Sequence, residues 1–215
     1  MAARCVRDGL VAGVATPRSE RYVDDAMRPA PMTGRFTTER YLALAEAGVL
    51  GPDDRVELLE GVVVSMAPHN VRHANGVRWA SEALYRAVAD RAVVQVQLTF
   101  VAGRRSAPEP DVAVLPGRKE DYLAAHPTSA LLVVEVADSS LGQDRITKSW
   151  IYAKAGVPEY WLVNLRDDCV EVFRDPEPRA RRYRTVAVAR HGERLALAAL
   201  ADVSVAVDDL LPPPG

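Results

Sequence analysis

Apolar and polar residues alternate along this chain with a spacing that switches repeatedly between that of a helix and that of a strand. A short helix is predicted to begin at an N-cap, Thr37 or Thr38, and to end at Gly48. A hairpin with Glu60 and Gly61 in its turn follows, in the segment RVELLEGVVVSMAP. The next segment, RHANGVRWASEALYRAVAD, has its apolar residues along one stripe and predicts a long amphipathic helix.

The second half of the chain is richer in predicted strands. Three of them are AVVQVQLTFVA, which alternates as a half-buried strand does, the shorter PDVAVL, and SALLVVEVA, which is apolar enough to be buried on both faces. A helix, DRITKSWIYAKAG, is predicted from Asp144 to a C-cap at Gly156. Further strands are expected in EYWLVNL, CVEVFR, RYRTVAVA and RLALAAL, before the tail DDLLPPPG. This order of elements predicts one mixed α/β domain, with Trp150, Tyr152, Tyr160 and Trp161 in its core.

Composition is that of a globular protein. The chain has 215 residues, of which 48% are hydrophobic and 26% charged, enough to bury one core. Residues 1–31 lack a periodic apolar face, so we predict a weakly ordered tail there and a single domain over residues 32–215. No run reaches the roughly 18 apolar residues of a membrane span, and no convincing signal peptide is present. We therefore expect a cytoplasmic protein without a membrane partner.

One carboxylate is out of place in the most apolar predicted strand. Glu135 lies in LLVVEVADSS, where an unpaired charge would cost several kcal/mol, so it needs a cation, a hydrogen-bond partner or a metal ion. Asp111 follows Pro110 at the start of the preceding strand and would lie beside Glu135 if the two strands pair. Two converging carboxylates favour Mg²⁺ or Mn²⁺, which prefer oxygen ligands.

A lysine can join these two acids. Lys148 lies on the helix that begins soon after Glu135, so its ammonium can reach the same site. Lys148 is also four residues from Asp144, a spacing that equally permits an ordinary surface pair facing away from any site. Two acids and a lysine around a metal suit phosphodiester hydrolysis, because the metal activates water and the lysine orients the nucleophile. Tyr152, one turn beyond Lys148, is a candidate neighbour of the site.

Each candidate residue also has a simpler interpretation. Glu135 could pair with an arginine in the core, and Asp111 could serve only the turn before its strand. Glu57, in VELLEG, could be a solvated charge on the hairpin. His73, near the start of the long helix, is an equally ordinary cap or surface residue.

Six motifs add a resemblance to a known family. In chain order they are ELLEG, a histidine in HNVRH, PDVAVL, VVEVADSS, DRITK and YAKAGVPEYWLV. Over about residues 33–211 they resemble the Uma-type family of restriction endonucleases, in the PD-(D/E)XK nuclease superfamily. The resemblance implies a restriction-endonuclease-like core, which is a central mixed β-sheet flanked by helices, with Mg²⁺ (or Mn²⁺) held by Asp111 and Glu135.

The match departs from the superfamily at one position. The superfamily's third motif has a lysine two residues after the glutamate, where this chain has Ala137. The resemblance therefore implies that Lys148 supplies this lysine from the helix. It also implies that Glu57 fills the N-terminal acidic position and that His73 corresponds to a family histidine.

These observations favour a Mg²⁺-dependent nuclease that acts on nucleic acid, with DNA the favoured substrate, and that forms a homodimer. Glu57, Asp111, Glu135 and Lys148 would be its catalytic residues. One alternative is a non-catalytic nucleic-acid-binding or regulatory module, and another is an interaction protein that dimerises through its EYWLV strand and the neighbouring strands. The formal net charge of -2 favours the alternatives, because it gives no global attraction to nucleic acid.

Overall fold

The computed structural model describes residues 34–51 and 53–213, so the predicted tail of residues 1–31 lies outside the described residues. The strands are β1 Val56–Leu59, β2 Val62–Ser65, β3 Val93–Val96, β4 Val112–Leu115, β5 Leu132–Ala137, β6 Glu159–Asn164, β7 Cys169–Glu177, β8 Arg182–Ala189, β9 Arg194–Leu197 and β10 Leu200–Ala206. Helix α1 is Thr38–Glu46, helix α2 is Val71–Val88 and helix α4 is Val207–Leu210, and a 3₁₀ turn lies at Lys119–Tyr122. Helix α3 is continuous through three segments, which are α-helical Leu141–Gln143, π-helical Asp144–Lys148 and α-helical Ser149–Ala155.

A six-stranded mixed sheet is the centre of the described fold. Its strand order is β3-β4-β5-β6-β7-β8, with β5 and β6 parallel and all other neighbours antiparallel. Two further hairpins, β1-β2 and β9-β10, form separate two-stranded sheets. The prediction of a central mixed sheet flanked by helices is confirmed.

Apolar cores lie on both faces of this sheet. On one face, α2, the β9-β10 hairpin and α4 bury a core that includes Val134 and Val136 of β5. On the other face, α3 packs on a core that includes Val133 and Ala137 of β5. Because side chains of a strand alternate between faces, Glu135 points to the α3 face.

Local signals explain several of the predicted elements. The Thr37 side chain accepts a hydrogen bond from the Arg40 N–H and caps α1, as predicted. The β1-β2 turn has positive φ at Glu60 (49°) and Gly61 (84°), as a two-residue hairpin turn requires. Gly156 ends α3 in the left-handed conformation, with φ of 77°.

Four predictions about the fold were wrong. The strand AVVQVQLTFVA ends at Val96, because Gln97 has φ of 49° and turns the chain out of the sheet. The segment RLALAAL is not one strand: it contributes β9 and the start of β10, and the rest of β10 was not predicted. Helix α3 begins at Leu141 rather than at Asp144. Trp150 is exposed on α3 rather than in the core.

The position of β6 also bears on dimerisation. Every residue of β6 is buried, and the strand is paired with β5 on one side and β7 on the other. The EYWLV strand therefore offers no free edge or face to a second subunit. None of the described helices has the length and apolar character needed to cross a membrane.

Candidate active site

The candidate catalytic residues meet in one cleft of about 110 Å³. Its walls come from the β1-β2 hairpin, the start of α2, the residues just before β4, and the segment from the end of β5 into α3. The acidic, basic and imidazole side chains that line it are Glu57, His69, His73, Glu109, Asp111, Glu135, Asp144 and Lys148. Residues far apart in the sequence are therefore brought together as predicted.

Strand pairing places Asp111 beside Glu135. The antiparallel ladder pairs Val112 with Val134, so one further step along it sets Asp111 opposite Glu135. The Asp111 carboxylate is held in position because its Oδ2 accepts the Val136 N–H at 2.9 Å. Burial acts to raise the Asp111 pKa, but His73, Lys148 and the Val136 N–H outweigh burial, and the pKa is lowered. Asp111 is therefore ionised and oriented.

Lys148 connects the two other acids. Its Nζ lies 3.1 Å from Glu135 Oε1 and 3.4 Å from Glu57 Oε2. Burial acts to lower the Lys148 pKa, but the surrounding carboxylates, led by Glu135, raise it above the usual value. Glu57 is itself buried and also accepts the Glu109 N–H at 3.3 Å. The interpretation of Lys148 as a surface residue paired with Asp144 is therefore wrong, as is that of Glu57 as a solvated charge.

Tyr152 completes the surroundings of Glu135. Its hydroxyl donates to Glu135 Oε1 at 2.6 Å within the α3 core. This contact, together with Lys148, fixes the orientation of the glutamate. Glu135 is thus compensated in part by a lysine and a hydrogen bond, and no arginine contact with it is found among the described residues.

Buried acids outnumber buried bases in this cleft. Four carboxylic acids are almost fully buried, with exposed fractions of 3% for Glu57, 6% for Asp111, 2% for Glu135 and 3% for Asp144. Lys148 is the one lysine or arginine among the described residues that line the cleft. Burial raises the pKa of Glu135 well above its usual value although Lys148 opposes the shift, and burial raises the pKa of Asp144 to about 6. One ammonium does not compensate four buried acids when all of them are ionised, so their ionisation favours binding of a further cation.

Two histidines lie next to Asp111. Ligand atoms of His69, His73 and Asp111 lie within 4.8 Å of one another, which is close enough to share a metal ion. Glu135, the metal ligand predicted with Asp111, lines the same cleft but is not part of this group. Burial acts to lower the His73 pKa, but the Asp111 carboxylate outweighs burial and the pKa is raised. The structure thus places His73 at the site rather than on the surface.

Sequence reasoning missed four side chains of the site. His69 lies four residues before His73, a spacing that could have suggested a shared ligand. Asp144 was considered only as a surface partner of Lys148, and Glu109 lies in the same EPD segment as Asp111. Gln97 donates its side-chain amide to Asp111 Oδ1 at 3.2 Å, and nothing in the sequence signals it, because the alternation of AVVQVQLTFVA continues through Gln97.

Comparisons with known proteins bear on the fold and on the family of this chain. A crystal structure from Anabaena variabilis, described as a "putative nuclease belonging to DUF820", has a similar fold, with a TM-score of 0.64 and 17% sequence identity over 81% of this chain and 97% of that chain. At that identity the likeness concerns the fold alone. No curated protein matches the chain. The model of the Uma2 family, described as "Putative restriction endonuclease", matches residues 38–208. Because that match covers most of the sequence, the chain belongs to the Uma2 family.

Proposed function

We propose that the protein is a divalent-metal-dependent nuclease that hydrolyses phosphodiester bonds of nucleic acid, with DNA as the favoured substrate. The observation that carries this proposal is the cleft in which four buried carboxylic acids surround a single lysine. Membership of the Uma2 family and the nuclease-like fold support the same reaction class. The cytoplasmic location and the homodimer are part of the proposal; because β6 is buried and paired on both edges, the homodimer would use other surfaces.

The donor set fits a divalent cation. Asp111 and Glu135 offer carboxylate oxygens from neighbouring strands; His73 and Lys148 lower the Asp111 pKa against burial, and the Val136 N–H orients the carboxylate. Such oxygen donors suit Mg²⁺ or Mn²⁺. When bound, an ion of this kind supplies positive charge to the phosphate and acidifies water.

The protein's own groups have distinct roles in this proposal. Lys148, held between Glu135 and Glu57, places a fixed positive charge beside the reacting phosphate and orients the attacking water. Glu57 is fixed by Lys148 and by the Glu109 N–H, so that it can accept a hydrogen bond from water. Tyr152 restricts the rotation of Glu135 and has no direct part in the chemistry.

Cleavage assays with matched variants test this proposal. Purified protein is incubated with plasmid DNA and with RNA, in Mg²⁺, Mn²⁺ or EDTA. We expect cleavage with the ions, none with EDTA, and at least about 10²-fold slower cleavage by Asp111→Asn and Glu135→Gln. Glu120→Gln removes an exposed acid outside the cleft and should cleave like the natural protein. Metal-independent binding of DNA without cleavage would instead support the non-catalytic alternative.

A further inference from the structure

His73 and Asp111 face each other without a hydrogen bond. His73 Nε2 lies 3.2 Å from Asp111 Oδ1, yet this buried nitrogen has no aligned hydrogen-bond partner among the described residues. A buried ring nitrogen without an aligned hydrogen bond is unusual, and here the charge of Asp111 alone compensates its desolvation. The 3.2 Å separation of the two atoms is also close to that of two ligands on one metal ion. Two ligand atoms at right angles, each about 2.1 Å from the ion, are about 3.0 Å apart.

We propose that His73 Nε2 and Asp111 Oδ1 bind the same divalent cation, and that this nitrogen ligand makes the site selective for Mn²⁺ over Mg²⁺. The inference rests on the proposed function in assuming a cation at Asp111, and it adds a ligand and a choice of metal. Imidazole nitrogen binds transition metals well, whereas Mg²⁺ prefers oxygen ligands alone and keeps several waters. A mixed oxygen and nitrogen pair therefore favours the transition metal.

The surroundings of His73 support its role as a ligand. The Asn70 side chain, which is the N-cap of α2, accepts the His73 backbone N–H at 2.8 Å and donates to Asp138 Oδ2 at 2.7 Å. These bonds fix the first turn of the helix that carries the imidazole. On the opposite side of the pair, Val136 and Gln97 hold the two oxygens of Asp111. Both ligand groups are thus positioned by the fold before any ion binds.

His69 has a different role in this proposal. The Arg55 guanidinium donates to His69 Nε2 at 2.9 Å, which occupies the lone pair that a metal would need. The ring of His69 lies against that of His73, with centroids 4.4 Å apart. His69 is therefore a positioning residue that limits rotation of the His73 ring, and a single imidazole binds the ion.

Isothermal titration calorimetry measures the predicted selectivity. The full chain should bind Mn²⁺ at least about 10-fold more tightly than Mg²⁺, and His73→Gln should lose most of that preference. His69→Gln should lower Mn²⁺ affinity less than His73→Gln does. His126→Gln removes an exposed imidazole outside the cleft and should bind like the natural protein. Equal affinities for the two ions, or an unchanged preference in His73→Gln, would overturn the proposal.

Pulsed electron paramagnetic resonance of the Mn²⁺ complex observes the ligand directly. Coupling to one histidine nitrogen, which changes on ¹⁵N-histidine labelling and disappears in His73→Gln, is the expected result. The labelling comparison is made on the natural sequence and does not depend on the folding of a variant, and His73→Gln then assigns the coupling to that residue. No nitrogen coupling, or coupling that persists in His73→Gln, would refute histidine ligation even if DNA is cleaved. Nitrogen coupling without cleavage would support this inference while the nuclease proposal failed.

Discussion

Replacing Lys148 with alanine should lower metal-dependent hydrolysis by roughly 10² or more, equivalent to about 3 kcal/mol of transition-state stabilisation. The size follows from the geometry of the site. Lys148 is 6% exposed and its Nζ lies 3.1 Å from Glu135 Oε1 and 3.4 Å from Glu57 Oε2, so the position of the ammonium is fixed before substrate binds. A fixed charge in a site with little water needs no reorganisation during the reaction, which is why one such group contributes this much.

The same substitution has a cost in stability that the assay must separate from the effect on rate. Removing one partner of a buried ion pair typically destabilises a protein by about 3–5 kcal/mol. The effect should fall at or below this range, because Glu135, whose pKa is already raised, can take up a proton when the lysine is absent. For a domain of this size, each kcal/mol lowers the melting temperature by about 2–4 °C. Rates should therefore be measured well below the melting temperature of the variant.

Lys154→Ala is the matched control on the same helix. Lys154 Nζ lies 2.8 Å from Glu60 Oε1, but its side chain is 37% exposed and the pair lies outside the cleft. An exposed pair contributes about 1 kcal/mol at most, so this variant should keep its rate and nearly its melting temperature. Mn²⁺ affinity, measured by calorimetry, should change little in Lys148→Ala, because the lysine is not a ligand.

Two results would refute this reasoning. One is a Lys148→Ala protein that is folded, binds Mn²⁺ and cleaves DNA at the natural rate. The other is an equal loss of rate in the Lys148→Ala and Lys154→Ala proteins, which would show that the ammonium acts through general stability rather than at the reacting phosphate.

Three further predictions concern the scaffold. Gly76→Ala should lower the free energy of unfolding by about 1–3 kcal/mol despite the better helix propensity of alanine, because the added Cβ would lie 2.6 Å from a methyl group of Val136. Gly142→Ala, whose added Cβ would have nothing within 4 Å, is the control. Equal stability of the two variants would contradict the close packing of α2 on β5. Gln97→Gly should relieve about 1 kcal/mol of backbone strain, because Gln97 has φ of 49°. The same change should slow cleavage, because it removes a hydrogen-bond donor to Asp111. A variant that is less stable and fully active would contradict both the strain and the role of this hydrogen bond. His191 lies between Asp208 and Asp168, and these two carboxylates raise its pKa in the folded protein. Protonated His191 should therefore stabilise the fold fully below the unfolded-state pKa of about 6.5. This stabilisation should be lost as the pH rises through the higher pKa of the folded state. The difference in melting temperature between the natural protein and His191→Gln should therefore be larger near about pH 5.5 than near about pH 9, and a constant difference would exclude the linkage.

The sequence was sufficient for the elements whose burial is regular. The stripe of α2, the apolar run of β5 and the turn at Glu60 and Gly61 are local signals, and the structure has each of them where predicted. Glu135 stood out because a carboxylate in such a strand needs compensation. The sequence left the pairing of β4 with β5 as a condition, and the structure has that pairing, which sets Asp111 beside Glu135.

Other parts of the site depend on contacts that no local pattern records. The left-handed backbone at Gln97 has no glycine or asparagine to signal it, so the end of β3 could not be predicted. His69 and His73 meet Asp111 only because α2 begins near the start of β4 in the folded chain. Asp144 and Lys148 have the spacing of a surface ion pair, and only the packing of α3 on the sheet shows that both are buried.

The position of the lysine follows from how α3 packs. Ala137 lies on the same face of β5 as Glu135 and is fully buried in the core beneath α3, so a lysine side chain at 137 would have to fit where that helix packs. Lys148 instead reaches Glu135 from the helix that covers it. In the π-helical segment the Ser149 N–H bonds to the Asp144 carbonyl, one residue farther back than in an α-helix, and segments of this kind are frequent at functional sites. Lys148 and Tyr152, four residues apart, then both contact Oε1 of Glu135. An ammonium thus reaches Glu135 from the helix rather than from the strand, and the same contacts hold that helix against Glu57 and Glu135.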